Sequence, residues 1–187
     1  MYQICVSGAA RGESVEEGRA LATELGEAIA GAGHALMTGA TIGLPNYAAE
    51  AYKKAGGKMS VGISPASSKV EHVMKYRLPI HAYDSIVYSG LHYVGRDTLL
   101  ITSSDAVISV GGRLGTLHEF TIALETDTPI GFLQGAGGIS DEIHNLLKLA
   151  RPLRTGALVI FNQSAAQLIK ELTDHLDKEH AKYRDLY

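Results

Sequence analysis

Residues 106–119, Ala-Val-Ile-Ser-Val-Gly-Gly-Arg-Leu-Gly-Thr-Leu-His-Glu, limit the fold more than any other stretch of this chain. An apolar, β-branched run ends in Gly111 and Gly112, Arg113 follows, and a helical pattern takes over across Gly115–Glu125. A buried strand that turns through glycines into a helix is a building unit of parallel, helix-covered sheets. The same turn leaves N–H groups unpaired at a helix N-terminus, where the helix dipole favours negative charge. The segment therefore reads as a phosphate cradle. Glu119, one turn into the helix, is the group that would add proton chemistry to it.

The rest of the chain repeats this alternation. Strands are expected at Tyr2–Ser7, Ala35–Thr38, Met59–Ser64, Ser85–Tyr88, Ala106–Val110, Pro129–Leu133 and Ala157–Phe161. Ser14 is expected to open the first helix, with Glu17 three residues on completing a capping box. Leu21, Leu25, Ala28 and Ile29 share one face of it, and Gly31 and Gly33 stop it. Further helices are expected at Asn46–Ala55, Tyr93–Thr102, Ser140–Leu149 (with Ser140 as its cap) and Ala165–Lys182. Pro65–His81 is less regular and reads as a loop or short helix over the top of the sheet. The expected fold is α/β, a Rossmann-like, mostly parallel sheet with helices on both faces, forming one domain over residues 1–187. Ligands then belong at the carboxyl ends of the strands, near a switch point.

Composition narrows the function classes. With 45% hydrophobic residues and a formal net charge of −3, the chain suits neither disorder nor broad capture of nucleic acid. The single cysteine, Cys5, lies in an apolar run and reads as a buried strand residue. One thiol builds no disulfide framework, which fits a reducing cytoplasm. There is no secretory leader pattern and no apolar stretch of the roughly 20 residues that span a bilayer. A soluble cytoplasmic protein is expected, without membrane or nucleic-acid partners. The eight histidines show no ligand spacing, so no metal site is expected.

Three glycine-rich loops close predicted strands: Gly8–Gly12, Gly39–Gly43 and Gly111–Thr116. Together they would line one crevice. The first is not G-x-G-x-x-G and no acidic ribose ligand follows, so ordinary NAD binding is disfavoured. No Walker lysine–serine pair follows any of them. Arg96 lies 15 residues before Gly111, early in a helix whose first turns return toward the strand's carboxyl end. Arg96 and Glu119 would then share a pocket, suited to phosphate or ribose binding and proton transfer at a departing base. The competing reading of that pair is a surface or interface salt bridge. His118 should point about 100° away from Glu119 and serve structure or an interface. Tyr83, Tyr88 and Tyr93 are candidates either to stack on a base or to fill the core or a dimer contact.

The block Gly-Arg-Asp-(x)13-Gly-Gly-Arg-Leu-Gly-Thr-Leu-His-Glu resembles the signature of the LOG family, in which an arginine precedes P-G-G-x-G-T-x-x-E at this separation. Thr38–Leu44 resembles that family's upstream glycine-rich segment, and the likeness spans roughly residues 2–165. The resemblance implies a Rossmann-like homodimer that binds a nucleoside 5′-monophosphate and hydrolyses its N-glycosidic bond to free base and ribose 5-phosphate. It implies Arg96 and Glu119 as catalytic residues. Gly112, Gly115 and Thr116, flanked by Gly111 and Arg113, would hold phosphate, with Gly39, Thr41 and Gly43 at the upstream loop. It requires neither cofactor nor metal, and nothing here resembles a pyridoxal phosphate site. Three positions depart from the pattern: Gly111 replaces a proline, Arg113 a glycine, and Asp97 a lysine. These departures resemble the divergent branch that includes a molybdenum-cofactor carrier. The alternative function is therefore non-catalytic binding or carriage of a nucleotide or phosphorylated cofactor. A third reading treats the helices as interaction surfaces only.

Overall fold

A computed structural model describes residues 1–149 and 156–183. Seven strands form one parallel sheet: β1 (Gln3–Gly8), β2 (Ala35–Thr38), β3 (Ser60–Ser64), β4 (Ser85–Tyr88), β5 (Ala106–Val110), β6 (Ile130–Leu133) and β7 (Val159–Asn162). Their order is β4-β3-β2-β1-β5-β6-β7, so the winding direction reverses between β1 and β5. Chain connections leave in opposite directions there, and a crevice opens at the strands' carboxyl ends.

Among the described residues six α-helices cover the sheet: α1 (Glu13–Gly31), α2 (Leu44–Lys54), α3 (His92–Thr102), α4 (Leu114–Glu125), α5 (Ile139–Leu149) and α6 (Ala165–Ala181). Period-two alternation divides the core. Ile4, Val6, Leu36 and Ile108 pack with Leu25 and Ile29 of α1, Ala48 and Tyr52 of α2, and Leu168 and Leu172 of α6. Cys5, Met37, Val107 and Phe132 face the other way, against Leu100 and Ile101 of α3, Phe120 of α4 and Ile143 of α5. Ser7 continues the Cys5 series, so its hydroxyl belongs on the face that α4 covers.

Most expected elements are present with ends displaced by one or two residues; β7 starts at Val159 instead of Ala157. Two caps differ in kind. Helix α1 starts at Glu13, and its N-cap is Gly12 at φ +98°, a left-handed conformation that glycine adopts without strain. Ser14 is thus inside the first turn, where its side chain no longer reaches back to cap the helix, and no side-chain cap is made. Ser140 also lies inside its helix; its buried hydroxyl donates to the Gly111 carbonyl at 2.6 Å. The irregular segment contains one π-helical turn, Glu71–Lys75. It is pinned by the fully buried His72, which bonds the Ser64 hydroxyl through Nδ1 (2.7 Å) and the Pro79 carbonyl through Nε2 (3.0 Å). Among the described residues no helix is long and apolar enough to cross a membrane.

Candidate functional site

The switch point holds a cavity of about 340 Å³ whose wall draws on the ends of β1 and β2 and the first turns of α3 and α4. Its charged groups are Arg11, Arg96, Asp97, Arg113 and Glu119. Gly39, Thr41, Gly115, Thr116 and Tyr93 complete the parts of the wall anticipated from sequence. Gly43, Gly111 and Gly112 are not in the wall; a Cβ at Gly43 would meet the backbone of Ala9 and Ala10, and one at Gly112 would meet Thr116. Gly111 and Gly112 are both left-handed, at φ +59° and +104°. That turn presents their carbonyls to Ser140 and to the Ile139 N–H, tying the loop to the start of α5.

Arg113 occupies the N-cap of α4, and neither a side-chain cap nor an acidic residue serves the helix's first turn. The early N–H groups of such a helix have no intrahelical partners and carry partial positive charge. The Arg113 guanidinium lies across Gly12, where a Cβ would meet it. A cation at this end has the wrong sign for the dipole, which makes the mouth complementary to an anion.

Deeper in the wall, Arg96 is only 5% exposed, and its Nε and Nη1 have no hydrogen-bond partner. Its guanidinium occupies the space that a side chain at Gly39 would fill, so the end of β2 must be glycine for Arg96 to lie there. Unmet donors of a buried cation are costly unless a ligand supplies acceptors, on the order of 1–3 kcal/mol for each group. Asp97 forms an ion pair with it: Oδ1 lies 3.3 Å from Arg96 Nε without a hydrogen bond. Its Oδ2 accepts from His118 Nδ1 at 2.8 Å.

Glu119 is buried on α4, and the Ser7 hydroxyl donates to its Oε2. Burial pushes its carboxyl up to about 7, opposed by Arg96 and by the Ser7 hydrogen bond and reinforced by the nearby charge of Asp97. The cavity therefore joins an end complementary to an anion to a carboxyl raised to about 7. Cys5, directly behind it in β1, has its thiol pushed well above the usual range, chiefly by burial.

A model of the SLOG cluster4 family matches residues 1–169. The chain belongs to that family. An uncharacterized protein of Archaeoglobus fulgidus is 34% identical over 134 residues, which cover 72% of this chain and 81% of its own. The X-ray structure of TM1055 matches with a TM-score of 0.78 over 94% of this chain and 99% of that one; at 24% identity it speaks to the fold. The molybdenum cofactor carrier protein of Chlamydomonas reinhardtii matches with a TM-score of 0.73 and 26% identity, over 92% and 96% of the two chains.

In this SLOG cluster4 protein the three tyrosines separate. Tyr93 is in the cavity wall, Tyr83 shares a 2.9 Å hydrogen bond with Thr38, and Tyr88 packs edge-on against His72. Sequence reasoning missed Ser7 and the contact between Asp97 and His118. A polar residue ending an otherwise apolar strand was the signal for Ser7. The Asp97–His118 contact joins two helices 21 residues apart in sequence, and no local pattern announces it. Among the described residues no group of three or more histidines, cysteines or carboxylates is placed to hold a metal ion.

Proposed function

We propose that the Arg96–Glu119 cavity binds a nucleoside 5′-monophosphate and that the protein hydrolyses its N-glycosidic bond. The observation that carries this is the pairing, in one wall, of a buried guanidinium edge lacking acceptors with a buried carboxyl titrating near 7. The phosphate is held by the amide end of α4, the Thr116 hydroxyl and Arg113. Arg96 donates to the sugar or to the departing base. Breaking the bond between C1′ and the base nitrogen develops an oxocarbenium-like cation. Ionised Glu119 stabilises that cation and takes a proton from the attacking water. The water oxygen bonds to C1′, the base leaves with the bonding electrons, and the proton held by Glu119 passes to it. Ribose 5-phosphate and free base result. Incubating purified protein with AMP and related monophosphates tests this, with release of free base in the wild type and none in Glu119→Ala. No base from any monophosphate, or full activity in the variant, refutes it.

A second reading, carriage of a phosphorylated cofactor without cleavage, is favoured by the likeness to the algal molybdenum cofactor carrier and by Arg113 overhanging the loop. Mass spectrometry of ligand released from fresh protein separates the two: an intact phosphorylated compound supports carriage, and no affinity for any phosphate compound rejects it. Assembly as a homodimer belongs to either reading. Leu91, the N-cap of α3, Val94 in α3 and Leu114 in α4 are 50%, 69% and 79% exposed. Light scattering of wild type and Val94→Glu tests this assembly, a monomeric wild type rejecting it. A cytoplasmic location fits the single, buried, free Cys5.

A further inference from the structure

Helices α3 and α4 each carry one principal group of the cavity, Arg96 and Glu119, and the function of the wall depends on their mutual placement. The side chains next to those two groups in sequence meet each other. Asp97 is 6% exposed, yet both of its oxygens are engaged: Oδ2 accepts from His118 Nδ1 at 2.8 Å, and Oδ1 lies 3.3 Å from Arg96 Nε. A buried carboxylate held at both ends has little freedom, and breaking such a pair leaves an uncompensated buried charge. His118 approaches from the solvent side, with its side chain 39% exposed, so it closes the arrangement from outside.

We propose that Asp97 and His118 are positioning residues: His118 anchors the Asp97 carboxylate from α4, and that carboxylate holds the Arg96 guanidinium in the wall it shares with Glu119. The pairing also explains why the unmet Arg96 donors persist. The ion pair neutralises the guanidinium without satisfying Nε or Nη1, leaving both for a ligand. The inference rests on Arg96 as the anion-binding group of the proposed function.

The negative charge of Asp97 has a second consequence. Glu119 is faced by Arg96 and Asp97 of α3, by Ser7 and Cys5 of β1, and by its neighbour His118. Asp97 raises the Glu119 carboxyl directly; without it, Arg96 would also act on Glu119 uncompensated. That charge acts on Glu119 whether or not Asp97 holds Arg96, so the comparison that reports positioning keeps Asp97 and varies its His118 anchor.

The test uses the full chain, with AMP as ligand and calorimetry for affinity. Glu119 is followed without ligand by the ¹³C chemical shift of its carboxyl. In Asp97→Asn, AMP affinity is expected to fall at least tenfold and the Glu119 midpoint to move down. In His118→Ala affinity should fall at least threefold, and His118→Asn, which can still donate to Asp97, should restore at least half of that loss. His118 is partly exposed, so its variants report even if Asp97→Asn does not fold. Affinities within twofold of wild type in the folded variants overturn the proposal. A wild type that binds no AMP overturns the nucleotide reading, and the NMR then decides. In that case His118→Ala and His118→Asn are compared, since both lack the imidazole charge and keep that of Asp97: a difference between their Glu119 midpoints supports the positioning role, and equal midpoints overturn it.

Discussion

Glu119→Gln isolates the cost of keeping a carboxyl in this cavity. Burial, opposed only in part by Arg96 and Ser7, raises the group from 4.5 to about 7 in the folded protein. A group whose folded pKa is raised binds its proton more tightly in the native state. Its stabilising contribution is fully present below pH 4.5 and is lost as the pH rises through about 7. At about 1.36 kcal/mol per pH unit, the whole loss amounts to about 3 kcal/mol. Roughly 2.5 kcal/mol of it falls between about pH 5 and about pH 8.5. Glutamine cannot ionise and keeps an oxygen for the Ser7 hydroxyl. The stability of the variant relative to wild type should therefore rise by about 2.5 kcal/mol between about pH 5 and about pH 8.5. Urea unfolding across this range measures it, provided the two proteins share one m value. Groups elsewhere titrate alike in both and cancel in the difference. A difference constant to about 0.5 kcal/mol across the range, or one that falls as the pH rises, refutes the account.

If ionised Glu119 is the competent form, kcat/KM for base release from AMP should rise with pH through about 7 and then level off, and a pH-independent rate would deny it that role. Gly39→Ala puts a methyl group where the Arg96 guanidinium lies. The flexible side chain can retreat, so stability should fall by only about 1 kcal/mol while AMP affinity drops at least about tenfold, read by thermal shift and calorimetry. Gly26→Ala is the opposite case: its methyl overlaps the Ala48 carbonyl, which is backbone of α2 and cannot retreat. Urea unfolding should show a loss of about 2 kcal/mol with the cavity unaltered. Arg113 is exposed and its attraction is screened, so Arg113→Gly should weaken AMP binding only about threefold and flatten its salt dependence, seen by titration at two ionic strengths.

The local sequence was enough for the α/β alternation, because period-two apolar runs and glycine stops are short-range signals. Ile4 and Val6 against Cys5 and Ser7 already divide β1 between two faces. The 106–119 segment likewise announced a turn into a helix and placed Glu119 one turn along it. Where α1 starts was less legible, since Ser14 and Glu17 satisfy a capping pattern but the left-handed Gly12 begins the helix earlier. Ser140 looked like a cap and instead fastens the Gly111 carbonyl from another loop.

What the sequence determined alone is the unit of construction: strands that must be buried on both faces, and glycine turns that leave amides free at helix starts. Tertiary structure decided which residues meet. The reversal between β1 and β5 brings Ser7 to Glu119 across 112 positions of chain. The packing of α3 on α4 joins Asp97 to His118, and the bare backbone at Gly39 receives Arg96. Those contacts depend on strand order and helix docking, which arise from burying two apolar faces at once. The glycine turn into a helix is written in the chain; the buried guanidinium and the raised carboxyl exist only once the sheet has closed around them.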